Sequence, residues 1–175
     1  MSYEESYGYT IGTQVRDKDG LNAIMFIAEA ATYYKKKGLT LLEQLNNIYE
    51  KYGYFKEKTF SITLKGVSGA EQIESMMKRL RENPIDSLGE FKIKQIIDFE
   101  LGQTNNITQN LIEKTNLPKS NLLFYEMDND CWFAVRPSGT EPKIKFYLGV
   151  KASTKELSEY LLDNLYKSIE ESIIT

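Results

Sequence analysis

The segment RPSGTEPKIK at 136–145 gathers more anion-binding chemistry than any other stretch of the chain. Arg136 brings a planar guanidinium suited to phosphate oxygens, and Ser138 and Thr140 bring hydroxyl donors. Pro137 fixes its own backbone angle, Gly139 admits a left-handed or tight conformation, and the amides of residues 138–141 can turn into one concavity. Lys143 and Lys145 alternate onto one face of a following strand. Together these groups would form a phosphate cradle without a helix N-terminus and without a metal. The competing reading is a solvent-exposed β-turn flanked by ordinary lysines, and composition alone does not separate the two. The spacing is not that of a nucleotide-binding P-loop. GVSG at 66–69 reads as a turn with a helix cap.

A second cluster lies near the start, in EESYG at 4–8 and VRDKDG at 15–20. Glu4 and Ser6 can take hydrogen bonds from sugar hydroxyls, and Lys18 can meet a hydroxyl or a phosphate. The competing reading is a polar terminus followed by the charged start of a helix, with Asp19 as its cap. Glu4 and Glu5 are adjacent in sequence, which gives no geometric ground for an acid–base pair.

Composition removes several other chemistries. The 175 residues include no histidine and one cysteine, Cys131. No Ser-His-Asp or Cys-His nucleophile, histidine-bearing zinc site or internal disulfide can be built from this chain. A net charge of -3 argues against a broad nucleic-acid surface while leaving room for a local basic pocket. There is no apolar run long enough to span a bilayer and no signal-peptide pattern at the start. The expectation is therefore a cytoplasmic protein with neither nucleic acid nor membrane as partner.

The elements that must position these clusters follow from periodicity. Leu21, Ile24, Met25, Ala28 and Ala31 share a helical face ending at KKKG, and Gly38 is the stop. Thr40 and Glu43 have capping-box spacing before a second helix with Leu41, Leu42, Leu45, Ile48, Tyr49 and Tyr52, closed by Gly53. Residues 54–59 read as a charged connection. Phe60, Ile62 and Leu64 then alternate as a strand, and Ser68 with Glu71 would cap a helix carrying Ile73, Met76, Met77 and Leu80 that closes at Pro84. FKIKQIIDFE at 91–100 reads as a strand, and residues 102–118 as a long surface connection with room for a short helix at 109–114. Residues 121–127 and 131–135 would form a hairpin about the Asp128, Asn129, Asp130 turn. A strand over 143–149 and a helix capped by Ser153 and Glu156, with Leu157, Leu161, Leu165, Ile169 and Ile173, complete a β-α-β-β-β-β-α order. That order implies an α+β fold with helices on one face of a largely antiparallel sheet.

EESYG, RDKDG and RPSGTEP, in that order, resemble the sugar-binding and phosphate-binding loops of the alpha-D-phosphohexomutases, in the phosphoglucomutase/phosphomannomutase branch. The resemblance implies that residues 1–53 are the C-terminal part of a sugar-binding third domain. It likewise implies that residues 54–175 are a phosphate-binding fourth domain with a TATA-binding-protein-like helix-on-sheet fold. It places Glu4 and Ser6 at sugar contacts, Lys18 at a basic position near the ligand, and Arg136, Ser138, Gly139 and Thr140 in the phosphate loop. Lys145, with Lys143 beside it, stands where many relatives have arginine, which keeps the cation and loses the bidentate fork.

The family's enzymes move phosphate between the 1 and 6 hydroxyls of a hexose through a hexose bisphosphate. They use a phosphoserine in a T-A-S-H-N-like segment and Mg2+ in a D-x-D-x-D-like loop, and neither motif occurs here. The resemblance therefore implies that the chain contains no catalytic residue, that magnesium is bound outside it, and that it is inactive without its missing N-terminal domains. Its ligand would be a hexose phosphate. An independent phosphosugar-binding module and a structural domain without ligand are the other classes the sequence allows.

Overall fold

A computed structural model describes the chain apart from Glu5, Ser6, Lys65 and Thr175. It divides into two compact units, Met1–Tyr52 and Gly53–Thr175.

In the first unit the short strands β1 (Ser2–Tyr3) and β2 (Tyr9–Thr10) pair antiparallel, and the helices α1 (Gly20–Lys36) and α2 (Leu41–Tyr52) follow. Asp19 caps α1, its carboxylate accepting the amides of Leu21 and Asn22 at 3.1 Å. Gly38 adopts a positive φ of 76° just beyond the helix, a conformation that costs glycine little. The capping box of α2 also forms: the Glu43 carboxylate accepts the Thr40 N–H at 2.7 Å, and the Thr40 hydroxyl accepts the Glu43 N–H at 3.1 Å. The backbone and hydroxyl donors of Thr40 hold the Glu43 carboxyl below its ordinary range. The apolar stripe of α1 finds little cover. Ala23 is buried, but Leu21, Ile24 and Met25 are 79%, 66% and 72% exposed, and α2 buries no residue.

The second unit is built on one antiparallel sheet. Its strands are β3 (Tyr54–Thr63), β5 (Phe91–Asp98), β6 (Gln103–Asn106), β7 (Leu111–Lys114), β8 (Leu123–Met127), β9 (Trp132–Pro137) and β10 (Lys143–Ala152). They run in the spatial order β3-β10-β9-β8-β5-β6-β7, and the short β4 (Ser87–Leu88) pairs with β5. The helices α3 (Val67–Glu82) and α4 (Lys155–Ile169) complete the unit. Ile73, Met77 and Leu80 of α3 and Leu165 and Ile169 of α4 join the inward residues of the sheet in one core. Both helices therefore cover the same face, as an α+β layer requires.

Alternation decides which residues meet that core. Tyr125, Phe133, Val135, Ile144, Phe146 and Leu148 are fully buried, and the Tyr125 and Phe133 rings stack at 4.1 Å. Trp132, on the opposite face, stacks with Phe124 at 5.5 Å. Its indole lies over Gly149, where a Cβ would fall 2.2 Å from the ring, so the β10 glycine is required by space.

Several expected local features take another form. Residues 54–59 are not a connection but the first part of β3, paired with β10 through to Tyr54↔Ala152. Residues 109–114 contain no helix; Leu111–Lys114 is a strand paired with Gln103–Asn106, so polar Asn and Thr residues extend the sheet. The N-cap of α3 is Gly66 at φ 80°, without a side-chain cap from Ser68, and Thr154, not Ser153, caps α4 by accepting the Leu157 N–H at 3.2 Å.

One polar network ties α3 to the β5–β6 corner. Arg81 Nε donates to Asp98 at 2.9 Å, and its Nη2 donates to Glu100 and Asn121 at 2.7 Å. The other Asp98 oxygen accepts the amides of Glu100 and Leu101 at 2.9 and 3.1 Å. Replacing Arg81 by Met strands the buried Asp98 carboxylate and should lower stability by about 3 kcal/mol. The Tyr125 hydroxyl, buried without a hydrogen-bond partner among the described residues, presents the opposite case. Tyr125→Phe removes an unsatisfied group whose burial costs about 1–3 kcal/mol, so it should leave stability unchanged or raised. Urea denaturation followed by the fluorescence of Trp132 checks both, and a large loss in Tyr125→Phe would contradict the packing described.

Candidate functional site

The β9–β10 hairpin positions the anion-binding candidates. Register places Lys145 directly opposite Arg136 and Ile144 opposite Pro137. Ile144 and Val135 are fully buried on the helix side, so alternation puts Arg136, Lys143 and Lys145 together on the face that carries no helix. Among the described residues none of these three cations has an ion-pair partner. Directly opposed like charges in an antiparallel pair destabilise it. An anion bound between them would reverse the sign of that interaction.

The loop joining the strands is held by its backbone. The Ser138 N–H donates to the Lys143 carbonyl at 2.7 Å, the Lys143 N–H to the Glu141 carbonyl at 2.7 Å, and the Leu64 N–H to the Pro142 carbonyl at 2.9 Å. The amide of Ser138 is therefore engaged, in contrast to the expectation that all the 138–141 amides are available. Those of Gly139, Thr140 and Glu141 make no hydrogen bond among the described residues. Of the left-handed or tight conformations that glycine admits, Gly139 does not take the left-handed one, and a Cβ there would meet open space.

A cavity of about 480 Å³ lies between the loop and α3, lined by Met77, Arg81, Pro137, Ser138, Glu141 and Pro142 among others. Ser138 borders it, whereas Arg136, Gly139, Thr140, Lys143 and Lys145 do not. The structure thus groups the cations on the bare sheet face and places Ser138 toward the helix side. Gly139 and Thr140 are exposed at the tip.

In the first unit Lys18 Nζ and Glu4 Oε1 form an ion pair at 2.7 Å, bringing two of the expected sugar-contact residues together. Ser6 lies outside the described residues. The pair crosses Gly8, a buried residue that sequence reasoning passed over. A Cβ on Gly8 would fall 2.8 Å from both Glu4 Oε1 and the Lys18 side chain. The place of Gly8 in EESYG, two residues beyond the candidate serine, is the sign of it that the sequence carries. The Glu4 and Lys18 side chains are 40% and 60% exposed, so the pair contributes at most about 1 kcal/mol to stability. Among the described residues no group of three or more His, Cys, Asp or Glu side chains is arranged to hold a metal ion.

The opposed Arg136 and Lys145 allow a direct check. In the absence of added phosphate, Lys145→Thr should raise the stability of the Trp132-containing unit by about 0.2–1 kcal/mol at low ionic strength. The gain should shrink in concentrated sodium chloride, as screening reduces the repulsion that the substitution relieves. A loss of stability at low salt would show that the two cations do not repel one another in the hairpin.

Comparison with known proteins adds an independent line. The family model for the phosphoglucomutase/phosphomannomutase C-terminal domain matches residues 108–165. A phosphoglucomutase from Staphylococcus saprophyticus is 35% identical over 151 residues, covering 86% of this chain and 27% of that protein. One from Staphylococcus aureus strain MSSA476 is 37% identical over the same shares. The chain therefore spans about a quarter of the length of these relatives. Among solved structures, the open form of the exocytosis-sensitive phosphoprotein pp63/parafusin, a phosphoglucomutase from Paramecium, has a TM-score of 0.62. That likeness covers 95% of this chain and 28% of the other at 17% identity, which bears on the fold alone.

Proposed function

Since the chain belongs to the phosphoglucomutase/phosphomannomutase family, we propose that it binds the phosphate and sugar of the substrate in an enzyme interconverting hexose 1-phosphate and hexose 6-phosphate. The observation that carries this reading is the trio of cations on the helix-free face, with Arg136 and Lys145 directly opposed and no acidic partner among the described residues. A phosphate dianion supplies the missing negative charge. Arg136 offers it a planar pair of donors, Lys145 and Lys143 offer point charges, and the amides of Gly139, Thr140 and Glu141 offer directional hydrogen bonds. The hydroxyls of Ser138 and Thr140 belong to the same proposed phosphate loop.

The first unit supplies the chemistry for a polyol. The Glu4 carboxylate accepts from hydroxyls and the Lys18 ammonium donates to them, with Ser6 assigned to the same role. Release of their mutual ion pair costs little because both are substantially exposed. Residues 1–53 and 54–175 are, in this proposal, the C-terminal part of the sugar-binding third domain and the phosphate-binding fourth domain. The exposed apolar residues of α1 and α2 would then be covered by the N-terminal domains of the same polypeptide.

In the proposed reaction a phosphoserine elsewhere in the enzyme donates to one hexose hydroxyl. The resulting bisphosphate turns over, and its other phosphate returns to the serine. Magnesium, assigned here to residues outside this chain, would stabilise charge during transfer. This chain's own residues hold the non-reacting phosphate and orient the sugar. They do so by charge and by preorganised donors that need little rearrangement on binding.

Titration of the chain with glucose 6-phosphate should shift backbone NMR signals over 136–145, whereas unphosphorylated glucose should leave them in place. Arg136→Ala should weaken the glucose 6-phosphate response by roughly tenfold to 100-fold, about 1.4–2.8 kcal/mol. The isolated chain, given magnesium and a hexose bisphosphate, should show no mutase turnover. Equal responses to glucose and glucose 6-phosphate would defeat the phosphate assignment, and turnover by this chain alone would defeat the division of labour.

A further inference from the structure

We propose that Gly69 is a positioning residue for the 138–142 loop, acting through Leu64; the inference rests on the anion-binding reading of that loop. Gly69 is buried in the first turn of α3, against the chain segment that leaves β3. A Cβ built on it would lie 2.2 Å from the Leu64 carbonyl oxygen, 2.5 Å from the carbonyl carbon and 2.9 Å from Leu64 Cβ. Side chains do not approach backbone atoms so closely, so any other residue must displace Leu64 or the start of the helix. Gly69 does not adopt a positive φ. Space alone, not conformation, demands the glycine here, whereas Gly66 in the same turn stands at φ 80° with nothing near its missing Cβ. GVSG thus uses one glycine to turn the chain and another to let α3 approach the end of β3.

That approach reaches the candidate anion site through a short series of hydrogen bonds. The Leu64 N–H holds the Pro142 carbonyl at 2.9 Å, extending the β3–β10 ladder one step beyond the Thr63↔Lys143 pair. Pro142 leads into Lys143, whose carbonyl takes the Ser138 N–H and whose N–H binds the Glu141 carbonyl. The backbone of the loop is therefore held at Pro142 by Leu64 and, one residue on, at Ser138 and Glu141 by Lys143, which pairs with Thr63 beside Leu64. Between Ser138 and Pro142 lie Gly139, Thr140 and Glu141, whose amides have no hydrogen-bond partner among the described residues. Displacing the Leu64 carbonyl moves its peptide neighbours and loosens the bond to Pro142. Donors then have to be ordered at the moment an anion binds, which lowers affinity without removing any contacting group.

The test uses the 175-residue chain, inorganic phosphate as the probe and amide NMR as the readout, with thermal melting run in parallel. Gly69→Ala should weaken the phosphate response of residues 138–143 by about tenfold, the effect of lost preorganisation. Ala70→Gly, at the exposed neighbouring position, lowers helix stability without crowding Leu64 and should keep wild-type affinity. Wild-type affinity in Gly69→Ala, or equal weakening in the two variants, overturns the inference. A second measurement needs no variant. Saturating phosphate should slow hydrogen exchange of the Leu64 amide several-fold, since a ligand that favours the ordered loop must favour the Leu64–Pro142 bond as well. A loop that responds to phosphate while Leu64 exchange stays unchanged likewise overturns the role of Gly69 and leaves the anion site standing. A wild-type chain with no phosphate response at 136–145 instead overturns the anion site, and the inference with it.

Discussion

The register of β9 against β10 sets two cations face to face, and much of the second unit serves to hold them there. Strand pairing fixes alternation, so burying Val135 and Ile144 on the helix side obliges Arg136 and Lys145 to share the other side. A slip of one residue would exchange the two sets and place charge in the core. The apolar burial of Phe133, Val135, Ile144, Phe146 and Leu148 therefore maintains an electrostatic arrangement that is unfavourable by itself. Local strain of this kind is tolerable where the surrounding core over-determines the backbone, and it gives an incoming anion a larger effect than neutral surroundings would.

The same division into a covered and an uncovered face organises the rest of the sheet. Trp132 can lie flat because Gly149 has no side chain, and the Phe124 ring stacks beside it. On the helix side Arg81 secures the corner after β5. At the β3 end, close packing at Gly69 secures the neighbouring backbone. The first unit shows what happens without such a framework. Its helices are well capped, yet their apolar residues remain largely open, because capping satisfies backbone groups and cannot supply a layer to pack against.

What was legible in the sequence was whatever local chemistry determines. Alternation in 60–64 and 143–149 gave strands, and Asp19 and the Thr40–Glu43 box gave helix starts, because each signal is contained within a few residues. The Gln103–Asn106 and Leu111–Lys114 hairpin was hidden by its polar composition: strands near a sheet edge bury too little for apolar alternation to appear. Residues 54–59 hide their strand for a related reason. Their charged residues belong to the edge strand β3, whose long pairing with β10 is a tertiary fact. The caps of α3 and α4 moved by one or two residues because several residues in each turn have side chains or conformations fit for the position. For the candidate site, the residue types were legible and their sidedness was partly so. That Arg136 and Lys145 are directly opposed, that the Ser138 amide is engaged and that Gly8 underlies the Glu4–Lys18 pair all depend on which backbone groups meet across space.

The central claim is that the Arg136–Lys145–Lys143 face is completed by a phosphate. Its most direct test is the melting temperature of the Trp132-containing unit, read by fluorescence, as inorganic phosphate replaces chloride at constant ionic strength. A ligand that binds only the folded state stabilises it by about 2.7 kcal/mol at a concentration 100 times its Kd. The account predicts a saturating rise in Tm with phosphate in the wild-type chain and a much smaller one in Arg136→Ala. A Tm that does not change as phosphate replaces chloride, or that rises equally in the two proteins, would contradict it.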